Sequence, residues 1–125
     1  MPSPDEIRAA IESYVKLLCA GDADGILSLY ADHPSVEDPV GRDPVVGRDA
    51  VRAFYAAAAG RVRVQLTGPI RVAGREAAFP MLAHVDFGER QVEMDVIDVM
   101  AFEDDGRIAS MRAFWSPAEM RPAPR

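Results

Sequence analysis

The chain has 125 residues and a net charge of −6, with 49% apolar and 27% charged residues, the size and balance of one soluble globular domain. The acidic balance argues against nucleic acid as the main partner, because phosphate binding wants a basic face. A single cysteine, Cys19, excludes an internal disulfide, and no Cys/His cluster has metal-ligand spacing.

Ser3-Pro4-Asp5-Glu6 predicts a helix start: Ser3 caps, Pro4 suits the first turn and Glu6 completes a capping box. The helix places Ile7, Ala10, Ile11, Tyr14 and Leu18 on one stripe and ends near Gly21. Asp22 is expected to cap a second, short helix with Ile26, Leu27 and Tyr30 inward. Residues 34–47, rich in Pro and Gly, read as a short strand followed by a loop. A third helix, about Arg48 to Ala59, puts Val51, Phe54, Tyr55 and Ala58 on one face before Gly60.

The remainder is strand-like. Val62, Val64 and Leu66 alternate with Arg63 and Gln65, and Phe79, Met81, Ala83, Val85 and Phe87 form one apolar face. "DFGERQ" and "EDDGR" read as hairpin turns. The last strand puts Ala109, Met111, Ala113 and Trp115 on one face, and the Pro-rich tail from about residue 117 is expected to be loose. Helices followed by a run of antiparallel strands give an α+β pattern, a single domain over 1–125. A strongly curved, mostly antiparallel sheet packed on three helices would form a conical barrel whose one open mouth holds small apolar ligands. The acidic N-terminus lacks an apolar signal core, and no run approaches the ~20 residues that span a bilayer, so a cytoplasmic location is expected.

The stretch "MDVIDVMAF" carries two aspartates in an apolar strand. Met94, Val96, Asp98, Met100 and Phe102 share one face by period 2, and Asp95 shares the other with Ile97, Val99 and Ala101. A carboxylate there either accepts backbone N–H bonds, pairs with an arginine at the sheet edge, or stays protonated. Tyr14, Tyr30 and Tyr55 each read as core-filling tyrosines, but three inward hydroxyls and an inward carboxyl could also satisfy one another. Asp38, beside Pro39, reads as a turn former by its loop position. His33 and His84 read as structural or exposed.

"YVKLLCAGDADGILSLYADHPSVEDPVG", "AVRAFY" and "DVIDVMAFEDDGRIASMRAFW" resemble the bacterial ketosteroid isomerases, small enzymes of the nuclear transport factor 2-like fold, from about Tyr14 to Trp115. The resemblance implies that Asp38 is the general base, which moves a proton from the carbon alpha to a steroid 3-oxo group to the gamma carbon. It implies that Tyr14 and Asp98 donate hydrogen bonds to the enolate oxygen, that Tyr30 and Tyr55 extend the network behind Tyr14, and that Trp115 donates to Asp38. Phe54, Met81, Val96 and Met111 fall at positions expected to line the steroid pocket. The family also implies a homodimer and no cofactor or metal. An aromatic ring stands at the position of Met81 in one family member, and Asp95 receives no role. Two other readings share the fold: a noncatalytic binding or dimerisation module, and a polyketide cyclase or epoxide hydrolase relative.

Overall fold

The computed structural model describes residues 1–124. Helix α1 (Pro4–Ala20) starts on the expected capping box: Ser3 Oγ accepts from the Glu6 N–H at 3.1 Å, and the Glu6 carboxylate accepts from the Ser3 N–H at 3.0 Å. It stops at Gly21, whose φ of 69° suits a residue without a side chain. The buried stripe is Ile7, Ile11, Tyr14 and Leu18. Helix α2 (Ala23–Ser28) follows, with Asp22 accepting from the Gly25 N–H at 2.8 Å.

Tyr30 departs from expectation. It does not lie on the α2 stripe but opens strand β1 (Tyr30–Glu37), which also begins earlier than residue 34. The cause is a long-range contact: the Arg48 guanidinium donates to the carbonyls of Leu27 at 3.4 Å, Tyr30 at 2.9 Å and Ala31 at 3.1 Å. The Tyr30 and Ala31 carbonyls are thereby satisfied without a continued helix, so the chain can turn into the sheet there. After β2 (Val45–Val46), helix α3 (Arg48–Ala58) buries Val51 and Tyr55, one residue short of the expected end.

Strands β3 (Val62–Leu66), β4 (Arg71–Ala73), β5 (Glu76–Asp86), β6 (Gln91–Phe102), β7 (Ile108–Phe114) and β8 (Arg121–Pro122) complete an eight-stranded sheet. Its main path runs β2-β1-β7-β6-β5-β3, with β4 on β5 and β8 on β6. All pairings are antiparallel except β1 with β7, so the sheet is mixed. It is also open, since β2 and β3 end the path without meeting; the cone is not a closed barrel. Register shifts in the β1–β7 and β6–β7 pairs are the kind of irregularity that bends a sheet. Core side chains from the concave face, including Phe79, Met100 and Met111, pack with Ile7, Ile11 and Val51 from the helices.

The tail expected to be loose is tied down. Pro117–Glu119 forms a 3-10 turn closed by a 2.9 Å bond from Ser116 Oγ to Glu119. Strand β8 then pairs with β6, Val92 opposite Pro122 and Glu93 opposite Arg121. Strand β7 covers β6 only from Ile97 to Phe102, so the earlier half of that edge has free backbone groups for the tail to occupy. Among the described residues, no helix is long and apolar enough to cross a membrane.

Candidate active site

The concave face encloses a cavity of about 280 Å³ with mostly apolar walls. Three ionisable side chains of acidic or basic type lie on that wall: Asp38, Arg42 and Asp98.

Asp98 reaches it by strand alternation. On β6, Met94, Val96, Asp98, Met100 and Phe102 are buried, whereas Asp95 and Ile97 face outward. In register, Asp98 lies between Phe79 on β5 and Ala113 on β7; the small alanine leaves open space beside the acid. Asp98 is 2% exposed, and no other described residue hydrogen-bonds to its carboxyl. Burial first, and the Asp38 charge second, push its carboxyl well above the usual carboxylate range, so the neutral acid is favoured. Of the readings open from sequence, neither the arginine pair nor the backbone-bonded carboxylate is what the fold makes of Asp98. Asp95, on the outer face, pairs with Arg121 at 3.3 Å.

Asp38 follows the end of β1 and is pinned on both sides. The Arg112–Glu37 ion pair at 2.9 Å lies before it, and a bond from the Val40 N–H to the Ala113 carbonyl at 2.8 Å lies after it. The Trp115 indole N–H donates to Asp38 Oδ1 at 2.6 Å. Burial raises the Asp38 carboxyl, while the Trp115 bond and the Arg42 charge oppose that rise. The two acids thus differ in surroundings: Asp38 has a donor and a nearby cation, and Asp98 has neither.

The tyrosines form a buried chain across three elements. Tyr55 on α3 lies between Tyr30 and Tyr14, its hydroxyl 2.7 Å from that of Tyr30 and 3.3 Å from that of Tyr14. Their rings pack at 5.9 and 6.0 Å between centroids. Burial, and after it the Asp98 charge, raise the Tyr14 hydroxyl well above its ordinary value, so Tyr14 stays a neutral donor.

The cavity therefore gathers Tyr14, Asp38, Asp98, Tyr55, Trp115, Phe54, Met81 and Val96 from the expected set. Tyr30 stands behind the wall. Met111, expected on the wall, instead lies in the core, paired with Met100 and Val36, which are both fully buried. Alternation assigns a residue to a face but not to a depth within that face, which is why Met111 was misplaced. Sequence reasoning missed Arg42, Phe87, Leu18, Val62, Met94 and Met120 as wall residues. Leu18, Val62, Phe87 and Met94 lay on apolar faces that could have flagged them; Arg42 and Met120 sit in irregular segments with no periodic signal. Among the described residues, no three metal-type side chains converge where an ion could sit.

A family model for the SnoaL-like domain matches residues 11–111. A steroid delta-isomerase of Nocardioides simplex is 44% identical over 116 residues, covering 92% of this chain and 94% of that protein. The epoxide hydrolase LasB of Streptomyces lasalocidi is 29% identical over an alignment that takes in 99% of this chain but only 48% of LasB. Among solved structures, the epoxide hydrolase/cyclase-like enzyme SalBIII, studied for pyran ring formation in the polyether salinomycin, superposes with a TM-score of 0.88 at 25% identity, covering 98% of this chain and 100% of SalBIII. The chain belongs to the SnoaL-like domain family of the nuclear transport factor 2-like fold and, within it, to the steroid delta-isomerases.

Proposed function

We propose that the protein converts 3-oxo-delta-5-steroids to their conjugated delta-4 isomers. The observation that carries this reading is the Asp98 carboxyl, buried, unpartnered and bordering the cavity that also holds Tyr14 and Asp38. With no protein partner, the Asp98 carboxyl opens onto the cavity and is not sealed in the core, so a ligand atom can reach it, and a protonated acid calls for an acceptor.

The Asp38 carboxylate removes a proton from the carbon between the 3-oxo group and the double bond. The electron pair moves toward the oxygen, giving a dienolate, and the charge developing there accepts hydrogen bonds from Tyr14 and Asp98. Asp38 then returns the same proton to the gamma carbon, which conjugates the double bond. Donation by Tyr14 to the steroid oxygen requires that Tyr55 donate to Tyr14 and Tyr30 to Tyr55, an order that the hydroxyl contacts of 3.3 and 2.7 Å permit. No redox change occurs, and one carboxyl accepts and releases one proton.

Ultraviolet absorbance tests the reading directly. With 5-androstene-3,17-dione as substrate, a conjugated enone band should grow in proportion to enzyme, and the Asp38→Asn variant should leave only background growth. No enzyme-dependent band would overturn the proposal.

The likeness to SalBIII and LasB favours a second reading, hydrolysis or cyclisation of an epoxide, in which Asp98 protonates the epoxide oxygen while Asp38 activates the nucleophile. Turnover of an epoxide without turnover of the steroid would select it. Either chemistry is compatible with a homodimer formed through the outer sheet face, where Ile97 and Phe114 stand opposite one another in register at 50% and 42% exposure. Sedimentation of an Ile97→Lys variant tests that interface.

A further inference from the structure

The ordered tail does more than fill an edge. Met120 stands between the 3-10 turn and β8 and forms part of the cavity wall. Arg121, the next residue, lies opposite Glu93 in the β6–β8 register and pairs with it at 3.1 Å, and with Asp95 at 3.3 Å. The Ala123 N–H continues the pairing to the Gln91 carbonyl at 3.0 Å. Upstream, the turn is held by the Ser116–Glu119 bond and by the Met120 N–H donating to the Pro117 carbonyl at 3.2 Å. The segment is therefore fixed on both sides of the one residue that reaches the cavity.

We infer that Met120 is a specificity-determining residue that grips the end of the steroid remote from the 3-oxo group, and that Arg121 positions it through Glu93 and Asp95. The reading rests on the proposed placement of the 3-oxo group at Tyr14 and Asp98. Asp98 lies at Ala113 in the β6–β7 register, deep in the fold, whereas Met120 is half-buried on the same wall as the exposed Phe87 and Arg42. A rigid tetracyclic ligand with its carbonyl at the deep end must therefore extend toward the rim where Met120 stands. Methionine suits this place because its unbranched thioether adapts to irregular apolar surfaces. Asp95, which has no place in the chemistry, gains one here: on the outer face it supplies half of the carboxylate pair that the Arg121 guanidinium bridges.

Three variants, Met120→Ala, Arg121→Ala and Glu93→Ala/Asp95→Ala, are compared by KM and kcat. Dissociation constants are measured for 4-androstene-3,17-dione and for a bicyclic enone that carries only the carbonyl end, both by quenching of Trp115 fluorescence. For Met120→Ala, KM and Kd for the tetracyclic ligands should rise about 3- to 10-fold, in line with losing part of a buried thioether contact, while kcat and the bicyclic Kd stay put. Exposed ion pairs are individually weak, so Arg121→Ala and the double carboxylate variant should weaken tetracyclic binding by only about 2- to 4-fold. Reversing the pair with Arg121→Glu and Glu93→Arg should restore part of it. Equal loss for both ligands, a fall in kcat alone, or unchanged tetracyclic binding in Met120→Ala would overturn the inference. The binding arm needs no turnover, so absence of isomerisation with a retained Kd pattern would sink the proposed activity and leave the tail's role standing.

Discussion

Trp115 donates its indole N–H to Asp38 Oδ1 at 2.6 Å, joining the residue after the last core strand to the loop that ends the first. The bond favours the ionised carboxylate, against the burial that raises it. Trp115→Phe removes the donor and keeps a ring. The acid limb of the kcat/KM profile should then move to higher pH, because Asp38 must lose a proton before it can act as base. A profile identical to that of the parent protein would show that the bond does not govern the base.

Arg42 offers an independent handle on the same group. Its positive charge also lowers the Asp38 carboxyl, so Arg42→Gln should shift the acid limb in the same direction as Trp115→Phe. The guanidinium is exposed, so its influence passes through screened solvent and should fade as ionic strength rises. The Trp115 effect, carried by a hydrogen bond, should persist in salt. Rate profiles at low and high salt distinguish the two.

Removing Asp38 or Tyr14 should separate chemistry from binding. Asp38→Asn should lower kcat on the order of 100- to 10,000-fold with Kd for product little changed, the usual worth of a positioned base. Tyr14→Phe should lower kcat about 100- to 1,000-fold, because its bond strengthens only as charge develops on the oxygen. Tyr55→Phe should cost less than Tyr14→Phe, since it removes a partner behind the donor and not the donor. Stopped-flow turnover alongside equilibrium binding checks all three, and equal changes in KM and kcat would contradict the assignment.

Asp98 should make the protein less stable than it could be. Its folded-state carboxyl is raised, so folding favours the protonated form. The stability contributed by that form is complete below the unfolded carboxyl's value of ~3.9 and is lost as pH rises toward the folded value. Through that window Asp98 alone gives a decline of ~1.4 kcal/mol per pH unit. Asp98→Asn has no such slope, so it should be the more stable protein at neutral pH and lose its advantage near pH 3. Asn keeps an N–H donor and should retain more turnover than Asp98→Leu. Denaturant unfolding from pH 3 to 8 decides it, and a gap that widens toward acid would contradict the sign.

Much of this arrangement was legible because local rules act locally. The capping box and stripe placed Tyr14, and period 2 put Asp98 and Asp95 on opposite faces of one strand; which face turns inward is set by the tertiary fold, which buries Asp98 and exposes Asp95. Tyr30 lies in β1 and not on α2 because Arg48, 18 residues away, satisfies its carbonyl just past the end of that helix. Met111 was given the right face and the wrong depth. Met120 and Arg42 were invisible: one depends on a free stretch of β6 edge, the other on where a loop folds over Asp38.

The most direct measurement is the protonation state of Asp98 in the ligand-free protein, read from its carboxyl carbon by NMR or from the protonated C=O stretch in the infrared, with Asp98→Asn as the control. The account predicts a neutral Asp98 carboxyl at pH 7, as donation to the substrate oxygen requires, with Asp38 ionising at lower pH than Asp98. An Asp98 carboxylate at neutral pH would contradict it, because an anion in that position repels the charge it is meant to hold.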